Sequence, residues 1–92
     1  MKRQELIEKY QTLFWYFDKA KLNEMSDNVL VEFILNYGDM QAIKDIFATF
    51  EKHEVARIFA RSIENERNNY FPQVKNFFDL YFKKNVPHYP FK

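Results

Sequence analysis

Few residues of this 92-residue chain combine the types and spacing that chemistry needs. Its two histidines, His53 and His88, have no second ligand at metal-binding spacing, and there is no cysteine to complete a set of three or four. Ser26 and Ser62 are the available serine nucleophiles, and neither sits in the strand–turn–helix elbow that presents a catalytic hydroxyl. The acidic pairs Glu5/Glu8 and Asp45/Glu51 fall on helical stretches among lysines, where a solvated, ion-paired face is the expected use. The single glycine, Gly38, is too few for a phosphate-cradling loop or a dinucleotide fingerprint. The residues therefore predict no enzyme and assign no catalytic group, metal or cofactor.

Two constellations remain. His53, Arg57 and Arg61 recur every fourth residue, opposite much of an apolar stripe, with Lys52 just before them. On the second helix of a helix-turn-helix, such groups could reach phosphates or guanine edges in the major groove. Glu54 shares that helix, its preceding turn has no glycine, and the net charge is only +1, so an ordinary solvated face competes with DNA contact. The other constellation is the run Leu13-Phe14-Trp15-Tyr16-Phe17. Successive helical residues point about 100° apart, so five in a row cannot all face one core. Trp15 and Tyr16 either fold onto later helices or anchor a protein partner. Tyr89 and Phe91, flanked by prolines, pose the same choice between a disordered end and a docking segment.

The elements that must position these groups read as helices. Leu6, Ile7, Tyr10, Leu13, Phe14 and Phe17 predict an amphipathic helix over 3–17. A polar connector follows to Asp27, with Leu22 and Met25 as anchors and Ser26 or Asp27 as the next cap. Val29, Leu30, Phe33, Ile34 and Tyr37 form the second stripe, ended by a left-handed Gly38. Asp39 caps a third helix with Met40, Ile43, Ile46, Phe47 and Phe50 inward. A turn over 51–53 leads to a fourth, with Val55, Ile58, Phe59 and, at its margin, Ile63. Pro72 starts a fifth, which turns Val74, Phe77, Phe78, Tyr81 and Phe82 inward. The expected fold is all-α, one small domain of about five helices over 1–84 that can contain a helix-turn-helix-like pair, with an extended tail over 85–92.

Composition narrows the class further. Aromatics make up 20% of the chain, which first suggests base stacking. Phe, Tyr, Met, Ile, Asn and Lys, the residues of AT-rich codons, fill 44 of 92 positions against 13 for Gly, Ala, Arg and Pro, so codon bias explains abundant Phe without a nucleic acid. Charge is uneven: residues 1–51 carry −3 and residues 52–92 carry +4. A basic half can mark an anionic partner, although scatter of this size is common. No apolar run approaches a membrane span, and charges recur by Glu8 and Lys9, which precludes a secretory core there. The sequence thus reads as cytoplasmic, without a membrane partner, and self-association stays open.

With those segments in place, the chain resembles a family of small bacterial helical proteins. The resemblance rests on Leu13-Phe14-Trp15-Tyr16-Phe17-Asp18, Lys21-Leu22, and the helix from Val29 through Tyr37-Gly38-Asp39. Ala42-Ile43 and Phe77-Phe78, where the family often has Phe-Trp, also fit, so that it covers roughly residues 12–82. Members look like the small partners of abortive-infection nucleotidyltransferase toxins. The resemblance therefore implies an antitoxin-like protein that binds a toxin, and antitoxins commonly bind operator DNA as well. The long first helix and the tail depart from the family pattern.

Overall fold

Apolar stripes spaced three and four residues apart favour amphipathic helices. In the computed structural model, which describes residues 1–14, 19–65 and 68–91, five helices form. The helices are α1 (Arg3–Lys9), α2 (Asp27–Tyr37), α3 (Met40–Phe50), α4 (Lys52–Glu64) and α5 (Pro72–Asn85). Short 3-10 turns occupy Gln11–Phe14 and Lys19–Glu24. The fold is all-helical, with no strand among the described residues. No helix among those residues is long and apolar enough to cross a membrane.

The caps follow the sequence closely in the middle of the chain. The Ser26 hydroxyl accepts the Val29 amide at 3.3 Å, and Asp39 Oδ1 accepts the Ala42 amide at 2.9 Å. Each satisfies an orphan donor of a first turn, and Pro72 begins α5 where it needs no N–H. Gly38 differs from expectation: its φ is −75° and its ψ 154°, so it is extended rather than left-handed. Space is what demands glycine there. A Cβ would stand 2.5 Å from the Ile34 carbonyl oxygen and 2.7 Å from the Ala42 Cβ.

The first helix is shorter than its stripe predicts. It ends at Lys9, where Lys9 and Tyr10 both bond Asp45 on α3. The chain then tightens into the 3-10 turn that brings Phe14 to α2, its ring 5.5 Å from that of Phe33. The expected turn over 51–53 is a single residue, Glu51, at φ 65° and ψ 148°. The tail is not extended either. Val86–Pro90 turn back on α5, burying Val86 and Tyr89.

The α2–α4 pair forms the centre, with α3 against both, α1 on α3 and α5 on α4. Phe14, Phe59 and Phe82 are the largest fully buried side chains, joined by Leu6, Leu30, Val31, Ile34, Ile46 and Val55. Phe59 and Phe82 join the rings across α4 and α5, with centres 5.4 Å apart, and Phe59 also lies 5.1 Å from Tyr70. Burying each such Phe contributes roughly 1.5–3 kcal/mol, so aromatics do supply much of the core.

Candidate functional site

His53, Arg57 and Arg61 follow one another a turn apart along α4, with the C-terminal turn beside them, whereas Lys52 leans the other way. Arg57 and Arg61 are exposed one turn apart, and Arg57 Nη1 lies 3.5 Å from Glu54 Oε2. His53 packs against Phe91, ring centres 5.1 Å apart. Pro90 and Phe91 join Arg57, Arg61 and Glu64 around a hollow of about 280 Å³. The Lys52 ammonium leans over the rings of Phe47 and Tyr81 at 5.6 and 5.3 Å. The chain's own C-terminal turn therefore lies on part of the face that a recognition helix would insert into DNA.

Of the four aromatics singled out as partner anchors, Trp15 and Tyr16 lie outside the described residues. Tyr89 is buried, and its hydroxyl donates to Asp79 Oδ1 at 2.8 Å while its ring packs 5.7 Å from Phe82. Phe91 is half-buried between His53 and Tyr89. Both rings are held within the fold.

Asp45 is the one charged residue buried among the described residues. Its expected solvated setting is replaced by a tertiary one. Lys9 Nζ donates to it at 2.8 Å, the Tyr10 hydroxyl donates to the same oxygen, and Gln41 Nε2 donates to the other at 3.1 Å. The Lys9 ammonium and the Tyr10 hydroxyl hold the Asp45 carboxyl down at about 2. All its neighbours are donors bound in place, so the cluster ties α1 to α3 and offers no free acid or base. Among the described residues no three His, Asp or Glu converge as metal ligands.

A cleft of about 550 Å³ runs between α2 and the segment before α5, walled by Phe33, Tyr37 and Phe71. Its polar groups are already engaged. Glu32 accepts the Asn69 amide, while Asn36 bonds the Asn69 carbonyl and the Phe71 amide, which pins residues 69–71 to α2.

The most exposed apolar surface lies where α3 and α5 meet. Met40 is 71% exposed, Phe77 59% and Leu80 51%, although the helical stripes predict Met40 and Phe77 inward. Two shallow hollows share Phe77. One, of about 300 Å³, includes Met40, Ile43 and Val74; the other, of about 280 Å³, includes Leu80, Tyr81 and Lys84. A sequence signal for this surface exists. Phe77, Phe78, Leu80, Tyr81 and Phe82 crowd six positions, too many directions for one buried stripe. The argument that sets Trp15 and Tyr16 apart applies equally to Phe77 and Leu80.

Comparison of the chain with protein-family models, curated proteins and solved structures finds no match.

Proposed function

We propose that this chain is a non-enzymatic interaction protein that binds a protein partner. The observation that supports the reading is the exposed apolar face of α3 and α5, with Met40, Phe77 and Leu80 each more than half exposed. Single exposed apolar side chains are ordinary on any surface. Three from two helices, contiguous with half-buried Ile43 and Tyr81, form the kind of patch that marks an interaction site. Aromatic anchors dominate such sites energetically, which gives Phe77 the leading role.

The finer reading is an antitoxin-like protein that binds a nucleotidyltransferase toxin. It rests on the resemblance carried by residues 13–18, 21–22 and 29–39, and its Phe77-Phe78 pair falls on this same helix. Co-purification with the product of the neighbouring gene tests the interaction. Wild type should retain the partner, and a Phe77→Ala/Leu80→Ala variant should lose it about tenfold or more with helical circular dichroism unchanged. Full retention by the variant would exclude this face. The antitoxin role has its own readout: co-expression should relieve growth arrest caused by the partner, and persistent arrest removes that role.

A further inference from the structure

We infer that the α3–α5 face receives an acidic amphipathic helix. This rests on the interaction reading above and adds the chemistry of the partner.

Shape supplies the first part of the argument. Two hollows flank Phe77, of about 300 and 280 Å³, each with room for a large side chain. A helix presents apolar side chains at i, i+3, i+4 and i+7 on one face, and an apolar groove reads that spacing. A flat lipid surface has no knobs to place in such hollows.

Charge supplies the second. Lys44 lies one turn from Met40 on α3, Lys84 lines the hollow beside Leu80, and Lys52 stands over Tyr81. No ion pair engages any of these three among the described residues. The acids of α3 and α5 are engaged within the chain: Asp39, which lines the first hollow, accepts the Ala42 amide, Asp45 serves Lys9 and Tyr10, and Asp79 serves Lys83 and Tyr89. The apolar face is therefore bordered by lysines that have no carboxylate partner among the described residues and can meet one from outside. A second copy fits poorly, because a twofold interface would set these lysines against themselves. A helix with carboxylates flanking its apolar stripe complements both features.

The test uses the full chain and three labelled peptides, followed by fluorescence anisotropy. The first is a helix former with Leu at i, i+3, i+4 and i+7 and Glu on its flanks. The second replaces every Glu by Lys, and the third scrambles the order of the first. The Glu peptide should bind about tenfold or more tighter than either control, with the advantage shrinking as salt screens exposed charges. Lys44→Glu/Lys84→Glu should erase the preference for Glu. Phe77→Ala/Leu80→Ala should weaken binding with circular dichroism unchanged, since both side chains are mostly exposed. Equal affinity for the Glu and Lys peptides, or no binding of the Glu peptide, overturns the inference while co-purification still decides the interaction reading. A wild-type dimer that Leu80→Asp converts to monomer makes the occupant a second copy and overturns it. Binding to anionic vesicles that Leu80→Asp abolishes, without peptide binding, makes it a lipid surface and does the same.

Discussion

Two buried tyrosines carry hydroxyls in opposite circumstances. Tyr70 is 7% exposed and its hydroxyl has no hydrogen-bond partner among the described residues, whereas the Tyr89 hydroxyl donates to Asp79. Leaving a buried hydroxyl unsatisfied is costly, while removing it is not. Tyr70→Phe should therefore hold stability or raise it by about 1 kcal/mol, and Tyr89→Phe should lower it by about 1 kcal/mol. Urea unfolding of both variants measures the contrast, and equal losses would contradict it. Burial raises both tyrosines above their ordinary value of 10.0, with Asp79 adding to the effect on Tyr89. Unfolded tyrosine ionises first, so this stabilisation is complete below about pH 10 and is lost as pH rises further. Asp45 has the opposite sign, its carboxyl lowered from 3.8 to about 2. Its contribution is complete above about pH 4 and is lost as pH falls toward 2. Asp45→Asn should flatten the stability–pH curve across that acid window, which thermal melts at a series of pH values would read.

The two tight corners, α2–α3 and α3–α4, each depend on one residue, and the two react oppositely to substitution. Gly38 leaves no room for a Cβ, so Gly38→Ala should destabilise by about 1–3 kcal/mol through overpacking of α2 on α3. Glu51 holds a φ of 65° with a ψ of 148°, a conformation that glycine tolerates better. Glu51→Gly should stabilise by about 1 kcal/mol as that strain is relieved. Paired thermal melts check both, and a Glu51→Gly variant that melts lower would show that the corner is unstrained. These corners also show what the sequence makes legible. The extents of α2 and α3 follow from local stripes and from the caps Ser26 and Asp39, which act within three residues. The end of α1 does not follow from its stripe, and it coincides with a contact to Asp45, 35 residues from Tyr10. Gly38 is marked by its type, but its reason is the crowding by Ile34 and Ala42, four residues away on either side, rather than a left-handed backbone.

The apolar face was only half legible for a related reason. Which side of a helix stays uncovered depends on how five helices assemble, and α5 leans on α4 through Phe78 and Phe82 while Phe77 and Leu80 point away. Residues 52–92 carry +4, and Lys52 and Lys84 beside this face belong to that half. The same basic half contains Arg57 and Arg61, so protein and DNA readings compete for it, and the C-terminal turn separates them. Ending the chain at Tyr89 removes Pro90 and Phe91 from the α4 face yet keeps the Tyr89–Asp79 bond. Phe91 is half-buried, so the loss of stability should be about 1 kcal/mol. If α4 were a recognition helix screened by its own tail, the shortened chain would gain DNA affinity. That gain would fall with salt by nearly one log unit per log salt for each phosphate contact. The interaction reading expects no such gain, because the α3–α5 face is unaltered by the truncation. Anisotropy with a labelled duplex at low salt, before and after shortening, decides the matter. Equal, weak binding leaves the basic residues of α4 as solvated surface, and a steeply salt-dependent gain moves the function to DNA.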